Sequence, residues 1–362
     1  MAPWTICKAE WLATVATVSL DRSYSFKTSV TLKASHSVLS DKPPRFRSAR
    51  LSELALTIDE LEGAIQRGVT WLKTRQLECG GWGACDSSQT GLTGLVIVAL
   101  REAGLSSDDV SIRQAVKFII ERQRKDGFLQ WTSPTEPGSF YGTARALLGF
   151  LVGSDDETLK YYEKSVASAV HALAMGEMPC GGWEANPGGG LSEWASAEVL
   201  YSMFYAGRKY VDEIFRSPMH YYVRMRRWFE KRQSLNGSWD NNCLDCTARV
   251  ALFLSLYGYR GIEVQNAVSF LLAHFKDDKI GESPWATGWG VLGLLAAAGL
   301  KNPIVREAVE KSVLTLLEAQ LSDGGWPVFY DSNLAYESVT AVVVWALSLY
   351  RNLRHGLFSV LG

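Results

Sequence analysis

The chain has 362 residues, 47% of them hydrophobic, with 37 Lys and Arg against 38 Asp and Glu for a formal net charge of −1. That length can bury a large core, and the balanced charge supplies no field to draw in nucleic acid. No uncharged apolar run approaches the roughly 20 residues of a bilayer span, the longest being TAVVVWALSLY at 340–350. Six cysteines and no predicted secretory leader point to free thiols in a reducing compartment. The expected location is therefore cytoplasmic, with at most peripheral membrane contact.

Residues 1–50 differ from the rest. They carry eight Lys and Arg against three acids, with much Ser and Thr. The reading is an extended or poorly ordered arm outside a single domain at 51–362, with a transit peptide as the alternative.

From about residue 57 the pattern is helix after helix, in pairs. Each pair has an amphipathic first helix, a Gly- and Trp-containing loop, and an almost wholly apolar second helix. The second helices are predicted at 89–103, 140–152, 191–206, 243–257, 285–298 and 335–350. Each carries a small pair near its start: Thr93-Gly94, Thr143-Ala144, Ser196-Ala197, Thr247-Ala248, Thr287-Gly288 and Thr340-Ala341. A period near 50 residues with twelve helices is a repeat architecture. Helices apolar all round must be buried on every side, which predicts an all-α fold, an (α/α)6 barrel of six helix pairs, over an open solenoid.

The loops share a layout. RGVTWLKTRQLECGGW (67–82), KFIIERQRKDGF (117–128), RRWFEKRQSLNGSW (226–239) and TLLEAQLSDGGW (315–326) place a Gln, three further residues and then a Gly, usually with a Trp two positions on. MPCGGWEANPGGG (178–190) keeps only Gly-Gly-Trp. The Gln amide is expected to bond the partnerless carbonyls that end the outer helix, with the Trp stacked on it.

Aligned on their small pairs, the second helices present Gly91, Tyr141, Trp194, Asp245, Trp285 and Ser338 two residues earlier. One ring position thus holds three aromatics and a single acid, with Phe140, Trp289 and Tyr336 as further wall candidates. An acid in an aromatic box suits protonation of an alkene, because indole and phenol faces stabilise a cation without trapping it. Cys243 and Cys246 flank Asp245 and are expected to tune it through weak S–H donors. Cys243-x-x-Cys246 also has zinc spacing, but no second pair or nearby His completes four ligands, so no metal is expected. SDDETLKYY and SSDDVS lack a third acid at the spacing that metal-dependent diphosphate ionisation requires. Arg145 and Arg249, with Glu198 at the matching place, read as a buried ion-pair set, with contact to an anionic head group as the functional alternative.

The loop layout resembles the QW motif of the triterpene cyclases, and LDCTA (244–248) resembles the Asp-Cys-Thr-Ala motif of oxidosqualene cyclases and aligns with the Asp-x-Asp-Asp-Thr-Ala motif of squalene–hopene cyclases. The likeness covers about residues 57–352 and implies a class II terpene cyclase with Asp245 as general acid and Cys246 hydrogen-bonded to it. Full-length members carry two α-barrels, whereas this chain has room for one, as in the single-domain members. The resemblance implies a hydrophobic C15–C20 polyprenyl substrate, such as a farnesylated hydroxybenzoate, and no cofactor save Mg2+ for a diphosphate. It departs from the hopene-type pattern where Cys243 and Cys246 replace aspartates, a version the family uses on epoxides. Copalyl- or drimenyl-diphosphate-type cyclisation, a protein-prenyltransferase-β-like barrel, a carbohydrate-active α/α-barrel and a non-catalytic prenyl-binding barrel are the alternatives. The basic, aromatic stretch 209–232 reads as a solvated outer helix that could also meet an anionic membrane surface.

Overall fold

Thr57 opens the first helix with a capping box: its hydroxyl accepts the Glu60 amide while the Glu60 carboxylate reaches back to the Thr57 amide. The structure is a computed structural model and describes residues 57–83, 89–129, 138–209, 218–357 and 359–361. The expected arm at 1–50 lies outside these residues.

In the helix that follows, α1 (Ile58–Thr74), the buried residues Leu61, Ala64, Ile65, Gly68, Val69 and Leu72 recur at helical spacing on one face. Its partner α2 (Thr90–Glu102) is buried nearly all round. The contrast repeats along the chain. Outer helices are α3 (Val110–Ile120), α5 (Asp156–Tyr161) continued by α6 (Glu163–Met175), α8 (Pro218–Arg232), α10 (Ile262–Ala273) and α12 (Pro303–Glu318). Inner helices are α4 (Phe140–Gly153), α7 (Glu193–Lys209), α9 (Leu244–Leu256), α11 (Pro284–Ala298) and α13 (Glu337–His355). Two short antiparallel pairs, β1 (Trp183–Glu184) with β2 (Leu191–Ser192) and β3 (Phe275–Lys276) with β4 (Lys279–Ile280), decorate the loops.

The inner helices pack in the order α2–α4–α7–α9–α11–α13, and α13 packs back against α2. The ring is closed, which excludes the solenoid. Close approach is set by glycine: a Cβ added at Gly149 on α4 would lie 2.3 Å from Gly94 Cα on α2. Residues Ala55–Gly362 form one unit, and no helix among the described residues is long and apolar enough to cross a membrane.

The joints follow the predicted layout with two roles exchanged. The Trp, not the Gln, satisfies the end of its own outer helix. Indole N–H groups of Trp82, Trp183, Trp239 and Trp326 donate to the carbonyls of Leu72, Leu173, Phe229 and Leu316 at 2.7, 2.6, 3.1 and 2.6 Å. The Gln amide instead ties its own turn to the next outer helix. Gln233, for example, donates to Gly237 O at 2.9 Å and Glu263 O at 2.7 Å, and Gln76, Gln123 and Gln320 repeat the pattern. The small pair completes the joint: Trp82, Trp183, Trp239 and Trp326 each donate a backbone N–H to the hydroxyl of Thr93, Ser196, Thr247 or Thr340.

Candidate active site

The N-terminal ends of the inner helices form the open end of the ring. Tyr141, Trp194, Asp245 and Trp285 are half-buried there, whereas Arg145, Glu198, Arg249 and Trp289, one turn further along the same helices, are fully buried. The site is thus a partly accessible layer over a closed floor.

Asp245 is placed by an unusual turn. Asp240, Asn241 and Asn242 take φ values of 49°, 56° and 65° in succession, a left-handed run that Asp and Asn tolerate best among residues with a Cβ. The turn delivers Cys243 as N-cap of α9, its sulfur accepting the Cys246 amide at 3.3 Å. Asp245 is therefore not the cap. Its Oδ2 accepts the indole N–H of Trp285 from the neighbouring α11 at 3.1 Å. Its Oδ1 lies 3.2 Å from Cys243 Sγ.

Two free thiols were expected here, but the structure joins Cys243 to Cys246 as a disulfide with Cα atoms 5.2 Å apart. Composition argued for reduced cysteines; helix geometry brings residues three apart onto one turn, within bridging distance. In this form neither sulfur carries a hydrogen to donate.

Beneath Asp245 lies the ion-pair set. Arg145 donates Nε–H and Nη2–H to Glu198 at 2.6 and 3.2 Å and a further N–H to the Tyr141 hydroxyl. Arg249 Nη2 lies 3.5 Å from Glu198 Oε2, and its guanidinium sits 3.7 Å over the Trp194 ring and 5.0 Å from Trp289. Burial pulls Arg249 below the ordinary arginine range, against the opposing pull of Glu198, and the charge of Asp245 also acts on it. Two guanidinia face one carboxylate, so the floor carries one excess positive charge. Both arginines lie beside Glu198 and against aromatic faces near the acid, the arrangement of the ion-pair reading.

The predicted box is rearranged. Tyr141 and Trp194 meet edge to face at 4.7 Å, with the two guanidinia against their rings. Trp289 contacts Trp285 and Trp345, each at 5.7 Å, and is floor rather than wall. Phe140 turns outward: it stacks on Phe128 at 5.3 Å and presses against Gly176, where any Cβ would collide with its ring. Tyr336 is 43% exposed at the start of α13, a rim position. Spacing along a helix fixed which turn each side chain occupies, but the first residue of a helix can point to either side of its neighbours.

One further group, which the sequence offered only as a carboxylate for the carbohydrate-active alternative, belongs beside the site. Asp240 accepts the backbone N–H groups of Glu193 and Trp194 at 3.3 and 2.9 Å and so caps α7, orienting Trp194. Burial, reinforced by Glu193, pushes its pKa up to about 7, while Arg232 pairs with Glu193. A lone Asp ahead of two Asn gave no sign of a cap for a helix 47 residues earlier.

No known family profile matches the chain. Curated relatives do: the squalene–hopene cyclase of Bradyrhizobium diazoefficiens is 25% identical over 308 residues, 83% of this chain and 37% of that protein. That of Zymomonas mobilis is 25% identical over 338 residues, 85% and 37% respectively. The chain thus spans little more than a third of these relatives. The type II terpene cyclase MstE from Scytonema, solved with geranylgeranyl dihydroxybenzoate, superposes with a TM-score of 0.64 at 18% identity, covering 82% of this chain and 98% of that one. The fold is that of the class II terpene cyclases. The match to MstE runs over nearly its whole length, so one barrel is a full architecture within that fold, and the sequence similarity to squalene–hopene cyclases points the same way.

Proposed function

We propose that the chain is a class II terpene cyclase, an isomerase in which Asp245 protonates the distal end of a linear polyprenyl substrate and ring closure follows in cascade. The observation that carries this reading is a carboxyl group at the accessible layer whose Oδ2 is held by Trp285 N–H. That oxygen is then the carbonyl side, and Oδ1 carries the transferable proton. When the proton leaves, the carboxylate cancels the excess charge of the Arg145–Glu198–Arg249 floor in the same step in which the substrate becomes cationic. The indole of Trp285, beside the acid, stabilises that cation by about 2 kcal/mol where water is excluded. Initiation by a proton leaves ionisation to Asp245 rather than to a metal; Mg2+ would serve only a diphosphate head group.

The substrate class is a C15–C20 chain, and the geranylgeranyl dihydroxybenzoate bound by MstE favours C20 on an aromatic acid over the farnesyl length. Such a substrate is apolar enough to reside in membranes, which fits peripheral contact. A terminal epoxide is the second reading, favoured by the cysteines that stand beside Asp245 where hopene-type cyclases have aspartates.

The test is incubation of the protein and its Asp245→Asn variant in D2O with farnesyl and geranylgeranyl dihydroxybenzoates, the corresponding diphosphates and their epoxides, followed by mass spectrometry. A cyclic isomer with one deuterium on carbon, absent with the variant, is expected for an alkene. Turnover of epoxides alone would select the second reading. Activity surviving in the variant would remove Asp245 from the acid role.

A further inference from the structure

We propose that Cys243 and Cys246 are a reversible redox site that sets the strength of Asp245 as an acid, a reading that rests on the acid assignment above. A structural disulfide gains its effect by closing a long loop in the unfolded chain. This one spans two intervening residues inside a single helical turn, so it constrains little, and its chemistry matters more than its cross-link. Both cysteines are half-buried, within reach of a small thiol. Cys243 is the N-cap of α9 with the Cys246 amide on its sulfur at 3.3 Å, which places it as the attacking member of the pair.

The consequence for Asp245 follows from hydrogen count. In the dithiol, the Cys243 S–H stands 3.2 Å from Oδ1 and donates to the carboxylate that remains after proton transfer. In the disulfide that sulfur offers only lone pairs. Trp285 serves Oδ2 in both forms, so reduction raises the donors on the departing carboxylate from one to two. Reduced protein is the stronger acid.

The exchange balances with glutathione disulfide as oxidant. The Cys243 thiolate attacks one of its sulfurs and releases a glutathione thiolate. The Cys246 thiolate then attacks the mixed disulfide at Cys243 and releases the second. Two electrons and two thiol protons leave the pair, and two glutathione molecules carry them away.

The experiment equilibrates the full chain in graded mixtures of reduced and oxidised glutathione. One portion is alkylated, digested and weighed at the 243–246 peptide, which separates this pair from the exposed Cys79 and Cys180. Initial cyclisation rates are measured on the other. The peptide should pass from doubly alkylated to bridged, and the rate should fall about tenfold, what one hydrogen bond to an ionised group contributes. Dithiothreitol should restore it, and in Cys246→Ser, where nothing resolves the mixed disulfide at Cys243, the peptide should carry glutathione in place of the bridge. Alkylation of both sulfurs throughout, or equal rates in both forms, would overturn the proposal. So would one equivalent of zinc retained by reduced protein, since the two sulfurs and the carboxylate lie within 4.8 Å of one another. No turnover in any mixture while the bridge forms would instead sink the assignment of Asp245 and leave the exchange itself measured.

Discussion

Trp285 illustrates how one residue changes meaning between sequence and structure. Its place in the ring suggested a wall for a cation; in the structure its N–H is bonded to Asp245 Oδ2, which under the proposed acid role leaves Oδ1 to deliver the proton. Trp285→Phe separates the two roles, because the ring face remains and the donor goes. Loss of a hydrogen bond to an ionised group is worth about 1.5–3 kcal/mol, so kcat should drop roughly 10- to 100-fold with KM nearly unchanged. A rise in KM with kcat intact would return Trp285 to the wall. Position in the ring was legible because the small pair sets register on every inner helix. The bond was not, since it crosses from α11 to α9 and depends on a rotamer that no spacing encodes. Arg249 was legible for a different reason: a buried cation needs an anion, and Glu198 was the acid at its level.

At the scale of the element, the repeated joint shows why the six inner helices could be placed to within a few residues while the wiring between the pairs was misassigned. Amphipathic and all-apolar periodicities differ strongly, so outer and inner helices separate in the sequence. The contacts of Gln and Trp are tertiary, and both side chains can reach a helix-end carbonyl; the indole takes it because the ring is buried against its own outer helix. Each Gln amide then welds neighbouring pairs. The loop at 178–190 has no Gln, and there Trp183 joins Leu173 O through its indole and Ser196 through its backbone N–H. Gln233→Ala should therefore weaken the barrel without unfolding it. It leaves the carbonyls of Gly237 and Glu263 without that donor, a loss of about 1–3 kcal/mol, readable as a lower urea midpoint with an unchanged slope. A loss of α8–α9 helicity at zero denaturant would show that the joint is a folding requirement instead.

For the whole molecule, ring closure is the property that matters. The seam between last and first pairs is dense: Gln320 donates to Ala64 O and accepts from Arg67, and Arg351 reaches Glu62 and the carbonyls of Glu102 and Ala103. A closed ring has no free end from which to unravel, so a local change of charge should appear in the stability of the whole. Asp240 provides the case. Its pKa is about 7 in the folded chain, raised first by burial and then by Glu193, against 3.8 for an ordinary aspartate. The folded state thus binds this proton more tightly than the unfolded one, and folding takes a proton up between these values. The sign follows: the contribution is fully present below about pH 4 and is lost as pH rises through about 7. Because the group is partly solvent-screened and lies against Glu193, the loss should be about 2 kcal/mol, below the roughly 4 kcal/mol that about three units at ~1.4 kcal/mol each would give. Asp240→Asn stays neutral and keeps an acceptor for the α7 amides. Urea unfolding from pH 4 to 7.5 should therefore show the variant gaining on the parent chain as pH rises, since other carboxylates titrate alike in both. Parallel curves across that window would mean that Asp240 is ionised in the folded barrel and that Arg232, through Glu193, carries its charge.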